Sequence, residues 1–196
     1  NQIGAVVGSQ PFGGEGLSGT GPKAGGPSYL YQFVKNEVNP SFDYIDKKIT
    51  ISEAQHIINN CPKPKRKAIK SISLPGPTGE SNILTTYPKG VILCLGPSIE
   101  QAKIQEKTVN ASGSIACIIL GLDLDLLSKL ENFSAVILWS KVNDVRKARK
   151  ALANRKGNII PIVTDISSLD HLKIERHVCI DTTAAGGNVE LLVNSN

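Results

Sequence analysis

Methionine is absent from all 196 residues, position 1 included. A translated chain starts with methionine unless it is processed, so this sequence is expected to come from a longer protein. No apolar run reaches the roughly 18 residues that a membrane-crossing helix needs. The N-terminus has neither a charged n-region nor an apolar h-region, so it does not read as a signal peptide. The four cysteines, Cys61, Cys94, Cys117 and Cys179, include no C-x-x-C pair. Cys94 and Cys117 sit in apolar runs, which points to buried, reduced thiols and a cytoplasmic setting. The three histidines, His56, His171 and His177, have no metal-ligand spacing, so no metal site is expected.

Acidic residues are outnumbered, and the net charge is +5. Much of the excess lies in "KPKRKAIK", residues 63–70. No aromatics interleave there to stack bases, and Pro62 and Pro64 break any basic helix. The run reads as a solvated connector, and no nucleic-acid partner is expected of it.

What is abundant is glycine near the start. "QPFGGEGLSGTGPKAGGPSYLYQF", residues 10–33, holds seven glycines and three prolines. Gly14, Gly16 and Gly19 satisfy G-x-G-x-x-G, the fingerprint of a pyrophosphate turn. That mechanism needs a helix next, whose first amides hold the phosphates. Instead Gly21, Pro22, Gly25, Gly26 and Pro27 follow, and they cannot open a stable helix. The Walker pattern fails as well, since Pro22 precedes Lys23 and no Ser or Thr follows it. A plain flexible tether is also a poor fit, because Phe12, Leu17, Tyr29, Leu30, Tyr31 and Phe33 are too apolar.

Thr50-x-x-Glu53 is a capping box that opens a short helix, "ISEAQHIINN". "SLPGPTGESN" reads as turn chemistry throughout. From Gly90 the pattern changes. "VILCL" (91–95), "IACIIL" (115–120), "AVILW" (135–139) and "NIIPIV" (158–163) are short apolar runs. Between them lie "SIEQAKIQEKTVNA", opened by a second capping box at Ser98 and Gln101, and "DLDLLSKLEN", a short helix with Leu126, Leu127 and Leu130 on one face. Residues 142–155 form a helix with Val142, Val145, Arg149 and Leu152 along one side. "KIERHVCID" (173–181) partly alternates, as a strand does.

Apolar runs alternating with helices imply βαβ units and a parallel sheet covered on both faces. The expected fold is α/β, a Rossmann-like parallel sheet of about four or five strands with flanking helices, preceded by an irregular glycine-rich segment. Ligands in such folds bind at the carboxyl ends of the strands. The first such turn, "CLGPSIEQ", has only Gly96, followed by Pro97. The second, "GLDLD", carries acids that repel phosphate. No dinucleotide site is expected, and no Ser sits in a G-x-S-x-G elbow.

"PFGGEGLSGTG" (11–21) resembles the P-F-G-G-x-x-x-S-G-x-G signature of aldehyde dehydrogenase catalytic domains. The longer stretch from Asn1 to Phe33 is more similar still to the glutamate-γ-semialdehyde dehydrogenase module of the proline utilization A family. "LPGPTGESN" (74–82) and "IDTTAAGGNVELL" (180–192) resemble two further motifs of that family, in its order. The resemblance implies a bifunctional enzyme that oxidises proline with FAD and then L-glutamate γ-semialdehyde to glutamate with NAD. The catalytic cysteine, its general base and both cofactor sites would belong to upstream domains of the same chain. None of the four cysteines here has the nucleophile's context, so the segment itself would be inactive and hold no cofactor.

The resemblance also implies a division of the chain. Residues 1–35 would end the catalytic domain, 36–89 would connect, 90–181 would be a degenerate copy of the aldehyde dehydrogenase nucleotide-binding fold, and 182–196 a terminal lid. Gly4 and Ala5 map to the loop that binds the substrate's amino-acid end, where backbone N–H groups can grip a carboxylate. Phe12 would pack on the substrate's aliphatic part, or simply in a core. Thr182, Thr183, Ala184, Ala185, Gly186, Gly187 and Asn188 would form the lid motif closing a tunnel between active sites, or a plain terminus. The residues taken alone leave another reading open, an independent α/β module binding a small molecule at its strand ends.

Overall fold

The computed structural model describes residues 4–34, 45–63, 65, 67–182, 188, 190, 193 and 194. Two sheets organise them. The first is parallel, with strands β3 (Val91–Cys94), β4 (Ile115–Ile118), β5 (Ala135–Ile137) and β6 (Ile162–Val163) in the order β4-β3-β5-β6. Helix α2 (Ile99–Ala111) joins β3 to β4, and α3 (Val142–Ala153) joins β5 to β6. A 3-10 turn, Leu124–Ser128, stands where a helix would link β4 to β5.

Strand β3 is buried along its length, and its side chains divide by parity as the pleat requires. Leu93 and Leu95 join Ile58 of α1 (Ile51–Asn59), Leu127, Leu130 and Val145 on one face. Ile92 and Cys94 join Val109 of α2, Ile137, Trp139 and Leu172 on the other. Both faces are therefore covered, which is why the strands lack polar alternation. Cys94 and Cys117 are buried, and burial raises both thiols, Cys94 to about 12.

The Thr50 capping box forms in full. Thr50 N–H donates to Glu53 Oε2 at 2.9 Å, and Glu53 N–H to Thr50 Oγ1 at 3.3 Å. Only half of the second box forms: Gln101 N–H donates to Ser98 Oγ at 3.3 Å, while Gln101 Oε1 is buried without a partner among the described residues. The buried face of α3 is Val145, Ala148, Ala151 and Leu152, which corrects the stripe drawn from the sequence. Val142, at the start of α3, is 65% exposed.

The second sheet is antiparallel, with β1 (Lys70–Leu74), β2 (Glu80–Pro88) and β7 (Lys173–Asp181) in the order β1-β2-β7. Two corrections follow. Residues 70–74 and 80–88, read as connector and turn, form a hairpin around the Pro75–Gly79 turn. The strand at 173–181 pairs with β2 rather than extending the parallel sheet. The described N-terminal residues fold back on themselves through bridges Val6↔Gln10 and Phe12↔Ala24.

Candidate functional site

The carboxyl edge of the parallel sheet is where a ligand would be sought, and the first turn on it, after β3, is closed. Gly96 ends β3 with φ +80°. Gln105, fully buried on α2, accepts from Gly96 N–H at 3.0 Å and donates to Gly96 C=O at 2.8 Å. Trp139 N–H, from the end of β5, reaches the same carbonyl at 3.4 Å. A pyrophosphate turn must offer its backbone N–H groups outward; this one has given the Gly96 amide to a side chain, so these residues do not fit a dinucleotide. The acids of "GLDLD" contribute less than their sequence implied. Lys147 of α3 pairs with Asp123 at 2.7 Å and Asp125 at 3.1 Å, and its hydrogen bond holds the Asp123 carboxyl below the usual range.

The three motif stretches instead meet along β7. Thr182, at its end, is buried and donates both its N–H and its Oγ1–H to Gly79 C=O at 2.8 Å. That fastens the start of the tail to the β1–β2 turn. Asn82 is buried beside this junction, donating to Pro75 C=O at 3.3 Å and to Glu80 Oε1 at 2.5 Å. Its Oδ1 lies 3.2 Å from His177 Nε2 on β7.

The glycine-rich segment docks on the other half of β7. Arg176 grips both oxygens of Glu15, at 2.9 and 3.0 Å, and holds that carboxyl below its ordinary pKa. Lys23 N–H donates to Glu175 Oε2 at 2.8 Å, and Ile159 N–H to Gly16 C=O at 3.0 Å. Gly21 has φ +126°, and a Cβ there would come 2.5 Å from the His171 ring. The His171 pKa is lowered, first by burial and then by the nearby Lys89 charge.

Of the expected substrate residues, Ala5 and Phe12 lie against other residues of the glycine-rich segment. Ala5 approaches Gly25, and Phe12 bridges Ala24. Gly4 has φ +107°, and no described residue lies within 4 Å of a Cβ added there; Ala5 is exposed, and Phe12 is 64% exposed. Phe12 is thus not buried among the described residues. Of the tail, Thr182 is anchored as described, and Asn188 is exposed with its Oδ1 accepting from Glu190 N–H at 3.0 Å. Thr183, Ala184, Ala185, Gly186 and Gly187 lie outside the described residues. Gln105, Asn82, Glu175 and Arg176 were not singled out from the sequence. Among the described residues there is no cluster of metal-ligating side chains and no helix long and apolar enough to cross a membrane.

Comparison with known proteins supplies the kinship. No protein-family model matches the chain. The bifunctional protein PutA of Salmonella typhimurium is 33% identical over a 244-residue alignment that takes in 98% of this chain, and the Escherichia coli PutA is 32% identical over 98% of it. The chain belongs to the PutA family. It spans 18% of the length of those two relatives. Among solved structures, proline utilization A from Corynebacterium freiburgense aligns over 90% of this chain and 19% of its own, at 19% identity and a TM-score of 0.48. A Bradyrhizobium japonicum PutA mutant aligns over 47% of this chain and 13% of its own, with a TM-score of 0.38.

Proposed function

We propose that this chain is the C-terminal portion of a bifunctional PutA-type enzyme that oxidises proline to glutamate, and that it carries no chemistry itself. The observation that carries the reading is the identity with PutA proteins along nearly the whole chain. In this reading FAD and NAD bind upstream domains of the same chain, and the parallel sheet is a degenerate nucleotide-binding fold whose first turn is closed by Gln105. Gly4, Ala5 and Phe12 contribute to the pocket for L-glutamate γ-semialdehyde. Residues 182–188 form a lid over the tunnel between the two active sites. Such a lid needs no acid or base; Thr hydroxyls, an amide and adjacent glycines suit packing against another surface.

Two measurements test this. The isolated chain should show no saturable heat with NAD at millimolar concentration; binding near ~100 μM would overturn the degenerate-fold reading. In the complete enzyme, deleting residues 182–196 should lengthen the lag of coupled proline-to-glutamate turnover several-fold. Proline oxidation with an artificial electron acceptor should stay nearly unchanged. An unaltered lag in a folded deletion variant would reduce the tail to a structural terminus.

A further inference from the structure

A cleft of about 560 Å³ runs between the glycine-rich segment and β7, at the amino edge of the parallel sheet. Its volume is in the range of small-molecule sites. Gly14, Gly16, Gly19 and Gly21 leave one wall without side chains, and the rest is strongly cationic. Lys23, Lys65, Lys89, Lys173 and Arg176 line it against two carboxylates, Glu15 and Glu175.

Most of these charges are already committed. Arg176 takes both oxygens of Glu15. Glu175 Oε2 accepts from the Lys23 backbone, and Lys23 Nζ donates to Gly13 C=O at 2.5 Å. Lys173 pairs with Asp170 at 3.3 Å. Lys89 is different. It is held between β2 and β3, half-buried, and makes no side-chain hydrogen bond or ion pair among the described residues. Its pKa is lowered, first by burial, with Glu15 opposing only through space. A partly desolvated ammonium is costly unless an anion meets it, and no described residue supplies one at bonding distance.

We propose that this cleft binds a small carboxylate anion, with the Lys89 ammonium as its charge partner. Arg176 is occupied by Glu15, which leaves Lys89 to meet the anion, and a carboxylate, charged at one end only, keeps clear of Glu15 and Glu175 better than a phosphate, which is charged on every face. Lys89 offers a single point charge in an open, glycine-walled space. The site lies at the opposite edge of the sheet from the turn closed by Gln105, and it stands independently of the enzyme assignment above.

The test uses the 196-residue chain, titrated at low ionic strength with glutarate, with its neutral diamide, and with inorganic phosphate, followed by backbone amide NMR shifts. Glutarate should move the amides of Gly14–Gly21 and Lys173–Arg176 saturably, and the diamide should not. Lys89→Gln should weaken glutarate roughly tenfold or more, the loss expected of one charge-assisted hydrogen bond. Lys89→Arg should keep affinity within a few-fold, and Lys65→Gln, at the rim, should change it little. Lys89→Gln removes a half-buried charge that no described residue pairs, so its thermal midpoint should not fall. No saturable shift by about 50 mM glutarate overturns the proposal, as does binding indifferent to Lys89→Gln. Phosphate binding tighter than glutarate with the same dependence on Lys89 overturns the carboxylate assignment.

Discussion

Replacing Gln105 with leucine is expected to cost roughly 2–4 kcal/mol of folding stability, the price of leaving two buried backbone groups poorly met. Gln105 is 0% exposed and satisfies both the N–H and the C=O of Gly96. Leucine has similar volume and fills the space, so the cavity contribution is small. The Gly96 carbonyl keeps the 3.4 Å contact from Trp139 N–H, but the Gly96 amide loses its partner. Glutamate is the informative second variant. It accepts from the amide but, when ionised, cannot donate to the carbonyl, and it buries a charge. Gln105→Glu should therefore be at least as destabilising at neutral pH and recover partly in acid, where the protonated acid regains a donor. Urea unfolding of the three proteins checks this. A loss under about 0.5 kcal/mol for leucine would mean that water replaces the amide and the turn is not closed as described. Neither variant should acquire NAD affinity, because freeing one amide does not supply the glycines for close approach.

The parallel sheet was legible because its strands are buried on both faces and so appear as unbroken apolar runs. Residues 91–94, 115–118 and 135–137 fell inside the runs read as strands. The run at 158–163 gave only Ile162–Val163, since Pro161 brings no N–H to a ladder. The antiparallel sheet was hidden for the opposite reason. Strand β1, "KSISL", has one half-buried face and one exposed face, and β2 carries Ser, Asn and Thr beside a Pro/Gly turn. Its stability comes from pairing along nine registers with β7, which lies about ninety residues away in the chain. No local pattern records that. The site was read in the same uneven way. The motif resemblance marked the stretches around Gly21, Gly79 and Thr182, and the structure brings all three onto β7. Gln105 escaped notice because a glutamine in an otherwise polar helix carries no periodic signal. Lys89 escaped because a single lysine after a strand is ordinary until its partners are counted.

The sharpest backbone constraint sits at Gly121, and Gly121→Ala should destabilise the chain by about 2–4 kcal/mol. Gly121 follows β4 with φ +72°, in the left-handed region. An L-residue there costs roughly 1–2 kcal/mol before any contact is considered. Here contact dominates. A Cβ at this position would fall 1.8 Å from the Lys47 carbonyl oxygen and 2.9 Å from its carbon, both backbone atoms with little room to yield. The close approach exists because Ile49 N–H donates to Gly121 C=O at 3.2 Å and Ile49 bridges Leu122, laying the chain before α1 alongside the end of β4. To admit a methyl group, residues 47–49 must lift away, and the capped start of α1 goes with them. Gly157→Ala is the matched control. Its φ is also positive, at +97°, but no described residue lies within 4 Å of the added atom, so only the conformational cost of about 1 kcal/mol should appear. Urea midpoints of the two variants separate backbone preference from collision. Amide exchange then locates the damage: protection should fall first across Ile51–Asn59 in Gly121→Ala, while β3 and β5 remain slow. Equal losses for the two substitutions, or unchanged protection of α1, would show that the approach of Lys47 to Gly121 does not hold that helix in place.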